Sequence, residues 1–126
     1  MHIALAVIIM TCSWYGPGFH GNVTANGEIY DQHAMTAAHR ELPFDTVLRL
    51  TKDDTTIHVR INDRGPYEPE AVQAGRLEPH PTRDLDLSKG AFKKLAPLGK
   101  GIIDVEAEVF LPGEDVEPPP VEVKPK

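Results

Sequence analysis

One cysteine, Cys12, stands in the 126 residues, so the chain cannot close an internal disulfide and must fold on its own core. Positive charge is also scarce. Lys and Arg number 13 against 19 Asp and Glu, the net charge is −6, and the basic residues gather into no stripe. Nucleic acid is therefore not an expected partner, because phosphate backbones are bound by clustered cations. The apolar run from Ile3 to Met10 is too short to span a bilayer and has no Lys or Arg before it. There is no Gly-x-Ser-x-Gly elbow and no Ser-His-Asp order, which removes the common serine hydrolases. The paired Asp-Thr/Ser-Gly motifs of an aspartic protease are missing too. His20, His33 and His39 are spaced unlike any zinc pattern, so neither a metal nor a cofactor is expected.

What is present is enough apolar material, 40% of the residues, for one core in a chain of single-domain size. Ile57, Val59 and Ile61 alternate with His58 and Arg60, and Ile103, Val105, Ala107 and Val109 alternate with Asp104, Glu106 and Glu108. Both are patterns of half-buried strands. Thr46 to Thr51 reads as a third strand, with Asp53-Asp54 turning the chain into the next. One helix is expected after Ser88, which can cap it, with Ala91, Phe92 and Leu95 on one face and Pro97 and Gly99 ending it. Residues 66–82 hold four prolines and Gly75, reading as a long surface loop with room for a short helical turn within 68–76. Residues 1–11 read as a buried first strand or as a degraded export signal. From Pro112 the composition is that of a disordered tail. Short strands punctuated by turns point to a small, mainly β barrel over residues 1–111.

The chemistry concentrates in Ser13-Trp14-Tyr15-Gly16, Thr24-Ala25-Asn26-Gly27-Glu28, Thr36 to Pro43 with His39 inside it, and Val59-Arg60-Ile61-Asn62-Asp63-Arg64-Gly65-Pro66. Carboxylates and an imidazole set on turns between strands suit proton transfer. Asp63 stands where a β-branched strand turns sharply, placed either for chemistry or to cap the turn and pair with Arg64. Glu28 follows the Asn26-Gly27 turn that can present it outward, and Asp31 three residues on can shift its titration or cap a turn. Trp14, Tyr15 and Tyr30 offer faces for stacking on sugars, although Trp14 and Tyr15 can equally seal the barrel. Cys12 follows Ile9-Met10-Thr11 in a loose imitation of a lipidation box, so a membrane enters only if Cys12 carries lipid.

In order and spacing, these motifs, together with Arg83-Asp84-Leu85-Asp86-Leu87-Ser88, resemble the RlpA-like lipoproteins, septal-ring lytic transglycosylases. The resemblance runs from about Cys12 to Leu111. It implies a six-stranded double-psi β-barrel, akin to expansins, with one short helix. It implies an enzyme of the cell envelope or periplasm, a monomer whose partner is peptidoglycan glycan strands, intact or stripped of peptide. The expected reaction cleaves the MurNAc-β-1,4-GlcNAc bond and leaves 1,6-anhydro ends. Asp63 then matches the essential aspartate, Glu28 a second acid/base group, His39 an orienting residue and Asp31 a charge neighbour. Trp14, Tyr15, Tyr30, Asn62 and Arg64 are expected on the substrate. The family's spacer after the lipidated cysteine is missing. The loop from Tyr67 to Thr82 is longer than usual, and a proline-rich tail stands where many members carry a glycan-binding SPOR domain. A non-catalytic expansin-like module and a phage-type lysin are the alternative readings.

The tail carries no apolar face to pack, so a chain ending at Pro112 is expected to keep its melting temperature and any glycan activity. A lower melting temperature on that truncation would make the tail part of the barrel.

Overall fold

The computed structural model describes residues 7–116. Six strands close into a barrel: β1 (Ile8–Tyr15), β2 (Thr36–Ala38), β3 (Val47–Lys52), β4 (Thr55–Asp63), β5 (Leu85–Ser88) and β6 (Ile103–Phe110). Around the barrel they run β1-β5-β2-β4-β3-β6. The β1–β5 and β2–β4 pairs are parallel, and the other four are antiparallel. This closed mainly β architecture is the double-psi β-barrel.

The core follows from the period-two alternation of the strands. Met10 and Cys12 of β1, Leu48 and Leu50 of β3, and Ile57, Val59 and Ile61 of β4 point inward. Leu85 and Leu87 of β5 and Ile103, Val105 and Ala107 of β6 meet them. Helix α2 (Lys89–Leu95) closes one opening with Ala91, Phe92 and Leu95. It starts where Ser88 leaves β5, because the Ser88 Oγ accepts from the Ala91 N–H and satisfies one of the orphan donors of the first turn.

Three features depart from the pattern seen in the sequence. The first strand begins at Ile8 and runs on through Tyr15, while residues 1–6 lie outside the described part. Ile8 and Ile9 are exposed, Ile9 by 60%, and burial begins only at Met10. A second helix, α1 (Pro69–Gln73), sits in the long loop. It is capped by the Glu68 carboxylate, which accepts from the N–H groups of Glu70 and Ala71, and Pro69 stands in its first turn. Strands β2 and β5, too short to display alternation, complete the barrel. The expected disordered tail falls largely on residues 117–126, outside the described part. Residues 111–114 close a local turn, with the Leu111 N–H donating to the Glu114 carboxylate.

Cys12 lies wholly inside the barrel, and burial pushes its thiol up to about 12. A lipid on Cys12 would require that residue to be the amino terminus. That would delete the pairing of Ile8–Thr11 with β6 and pull Cys12 from the core. In the native protein at pH 8, Cys12 is expected to resist thiol reagents and to react fully on unfolding. Because Cys12→Ser buries a hydroxyl, it should cost about 1–2 kcal/mol, read from denaturant midpoints, while a neutral result would mean that the hydroxyl finds a good partner.

Candidate active site

A β-bulge positions the central residue. Thr36 pairs with Arg60 and Ala37 with Ile61, but Ala38 pairs with Asp63, so Asn62 is the extra residue in β4. A bulge turns a strand locally and re-aims its side chains. Here it lets the adjacent residues Asn62 and Asp63 serve two different partners on the same loop. Asp63 Oδ1 accepts from the backbone N–H of Ala25 and of Arg64, each at 2.9 Å. Asp63 Oδ2 accepts from the Tyr15 hydroxyl at 3.2 Å. Asn62, 2% exposed, donates from Nδ2 to Glu28 Oε1 at 3.1 Å.

The loop that these contacts hold is a tight turn. The Thr24 N–H donates to the Glu28 carbonyl at 2.7 Å, and Gly27 takes φ +93°, a value that side chains disfavour. Glu28 then faces Arg60, whose two terminal nitrogens donate to its two oxygens at 2.7 and 2.8 Å. Asn26 adds a further donor at 2.8 Å. The Arg60 hydrogen bonds come first among the causes that hold the Glu28 carboxyl at about 2, with Asn62 and Asn26 adding to them. The four donors commit most of the lone pairs of Glu28 and favour its ionised form.

His39 uses Nδ1 as an acceptor from the N–H groups of Glu41 and Leu42, both at 3.0 Å, and its own backbone N–H donates to the Asp63 carbonyl. This assigns the proton of the neutral ring to Nε2. Burial, followed by the neighbouring Arg40 charge, lowers its basicity further. His39 thus orders the turn beside Asp63 and keeps one N–H to offer.

Other expected site residues have structural employment. Arg64 does not pair with Asp63 through its side chain. Its guanidinium lies 3.9 Å from the centre of the Phe44 ring and donates to the carbonyls of His39 and Leu42. Asp31 is exposed and caps a turn by accepting from the His33 N–H, with no hydrogen bond to Glu28 or Asp63 among the described residues. Tyr30, 1% exposed, has no free face for a sugar: its ring stacks on Tyr15 at 4.3 Å and its hydroxyl donates to the Tyr15 carbonyl. Trp14 packs toward Phe92 and donates from its indole N–H to the Leu98 carbonyl, sealing the barrel. Burial raises the Tyr15 hydroxyl well above the ordinary tyrosine value, which keeps it a donor to Asp63.

Two residues beside these groups were not among the expected site residues, although Asp86 stands in the Arg83–Ser88 motif. Phe19, 54% exposed, meets Tyr15 edge-on at 5.5 Å and is the exposed aromatic nearest this pair. Asp86 lies on β5 with its Oδ1 hydrogen-bonded to Ser13 Oγ, and burial raises its carboxyl above the ordinary range. The His20 and His33 rings meet at 6.0 Å, and among the described residues no three His, Cys, Asp or Glu side chains converge for a metal. An open recess of about 390 Å³ at the opposite end of the barrel, lined by Ile9, Asp53 and Asp104, contains none of the site residues.

Arg60→Met should return Glu28 from about 2 toward 4.5, as followed by carboxyl carbon NMR. A depressed folded value stabilises the fold above the unfolded value and loses that contribution as pH falls through the folded one. The variant should therefore show a flatter loss of stability between pH 4.5 and 2. Persistence near 2 would assign the effect to the two asparagines.

The lytic transglycolase family model matches residues 9–107. The endolytic peptidoglycan transglycosylase RlpA of Campylobacter jejuni is 42% identical over 100 residues, which cover 78% of this chain and 32% of that protein. Its namesakes in Neisseria meningitidis serogroup A and Vibrio cholerae are 40% and 39% identical, covering 81% and 86% of this chain and 38% and 37% of theirs. The chain thus spans about a third of the length of these relatives. Among solved structures, the Streptomyces papain inhibitor superposes with a TM-score of 0.61 over 84% of this chain and 96% of its own. At 19% identity it is a likeness of fold alone. With the family model covering the barrel almost end to end, the chain belongs to the RlpA-like lytic transglycolase family.

Proposed function

We propose that the barrel is an endolytic peptidoglycan lytic transglycosylase of the cell envelope. It would act as a monomer on the MurNAc-β-1,4-GlcNAc bond of glycan strands and leave 1,6-anhydro-MurNAc ends. The observation that carries this reading is Asp63, held at the end of β4 by three donors from β1, the Thr24–Glu28 loop and its own turn. A proton-transfer group has to be held in place this firmly to act on one bond. The family membership and the activity for which the relatives are named support the same reading.

In the proposed cycle, the glycosidic oxygen receives a proton as the bond to C1 breaks through an oxocarbenium-like state. The C6 hydroxyl of the same muramyl residue attacks C1 and gives up its proton, closing the anhydro ring without water. Asp63 carries the proton traffic. Glu28, ionised beside Arg60, contributes negative potential toward the cationic transition state, and His39 Nε2–H is free to hold a sugar hydroxyl. Phe19 takes over the stacking role expected of Trp14 and Tyr30.

Asp63→Asn keeps the shape and removes the transferable proton, so cleavage of peptide-free glycan strands should fall by about 10²-fold or more. Sacculus binding and the folded state should hold, with the melting temperature lowered only modestly because the amide is a weaker acceptor for the three donors. Wild-type products should be one water lighter than hydrolysed ends by mass spectrometry. Reducing ends would make the protein a hydrolase, and binding without any cleavage would favour the expansin-like module.

A further inference from the structure

We propose that Asp86 is a second proton-handling carboxyl of this site, giving a proton to the leaving glycosidic oxygen while Asp63 receives the one lost by the attacking hydroxyl. The inference rests on the transglycosylase reading and divides between two groups the traffic assigned above to one.

Register places the two aspartates together. On β2, Ala38 is paired with Asp63 of β4 on one side and with Asp86 of β5 on the other. The carboxyls therefore stand at one level of the barrel wall with a single methyl side chain between them. Their backbones are two strand spacings apart, about 10 Å, a separation that suits two groups serving one sugar. They also share a face. Ser13 and Tyr15 are two residues apart on β1 and point the same way, and Ser13 reaches Asp86 as Tyr15 reaches Asp63. After Asp63 the chain passes Asp86 at Gly65, where a Cβ would lie 3.6 Å from Asp86 Oδ2 and where φ is +138°.

The three carboxyls differ in what surrounds them. Glu28 is ionised by Arg60, and Asp63 is an acceptor in each of its three hydrogen bonds. Asp86 is the one that burial pushes toward its protonated form, and the nearby Asp63 charge pushes it the same way. Ser13, Arg83 and His80 oppose the shift. Arg83 donates to Ser13 Oγ at 3.0 Å, so its charge reaches Asp86 through the serine. His80 accepts on Nδ1 from the N–H groups of Thr82 and Arg83, and burial lowers its basicity. From β1 comes Tyr15, a neutral donor, and from β2 only Ala38.

The step balances. The Asp86 proton passes to the glycosidic oxygen, which keeps the electron pair of the broken C1–O bond. The C6 oxygen bonds to C1, and its proton passes to Asp63. Asp86 ends as carboxylate and Asp63 as acid, and exchange with water restores both.

The test measures kcat/KM against pH on peptide-free glycan strands. It is combined with carboxyl carbon NMR of the wild-type protein. Asp86 should titrate above the ordinary aspartate value of 3.8, and activity should fall on the alkaline side as it ionises. Asp86→Asn should lose about 10²-fold in kcat/KM with its melting temperature kept. Ser13→Ala removes a hydrogen bond to the ionised form and should move the alkaline limb to higher pH, a shift that a merely structural role would not produce. If Asp86→Asn does not fold, the wild-type titration and the Ser13→Ala profile decide. An Asp86 that titrates at or below 3.8, or an Asn variant within about threefold of wild type with the same alkaline limb, overturns the inference while anhydro products still uphold the transglycosylase. A wild-type protein that releases no anhydro product overturns both.

Discussion

At the end of β4, where Asn62 and Asp63 together face Ala38, a single extra residue lets neighbouring side chains clamp opposite ends of one loop. Asn62 takes Glu28, and Asp63 takes the Ala25 N–H. Without the bulge the alternation of β4 would send one of the two side chains into the core. Tyr15 ties the same carboxylate to β1, while the N–H of His39 ties its carbonyl to the chain leaving β2. Asp63 is thus a structural hub before it is anything else, and the loops around it are ordered by hydrogen bonds that converge there.

The electrostatics follow from who reaches each carboxyl. A planar guanidinium with two parallel hydrogen bonds holds Glu28 ionised near the surface. Asp86 has a hydroxyl in place of a contacting cation, and desolvation is the largest influence on its carboxyl, pushing it upward. Pairs of carboxyls pushed in opposite directions by their surroundings are how a protein performs acid and base chemistry at one pH. The aromatic groups divide in a similar way. Trp14 and Tyr30 are consumed in sealing the barrel and supporting Tyr15, while Phe19 remains exposed beside them.

Much of the barrel was legible in the chain. The long strands announce themselves through alternation at 57–61 and 103–109, and Ser88 marks the start of α2 in both readings. Strands β2 and β5 did not, because three and four residues that are mostly buried carry no period. The helix at Pro69 was obscured by prolines that read as loop, although one of them sits in the first turn where a missing N–H does no harm. The motif residues were visible as types, but several of their roles were not. Arg64 looked like a partner for Asp63 because it is adjacent, yet its guanidinium serves carbonyls more than twenty residues upstream.

By itself, the amino-acid order determined which segments alternate, where the turns fall and which carboxyls lie on them, since these depend on neighbours along the chain. Only the tertiary structure decided how those carboxyls are charged, because a pKa is set by neighbours in space. Arg60 reaches Glu28 across a separation of 32 residues, and Ser13 reaches Asp86 across 73. Pairing of β1 with β5 creates the second contact and the folding of the Thr24–Glu28 loop onto β4 creates the first, and no local pattern records either.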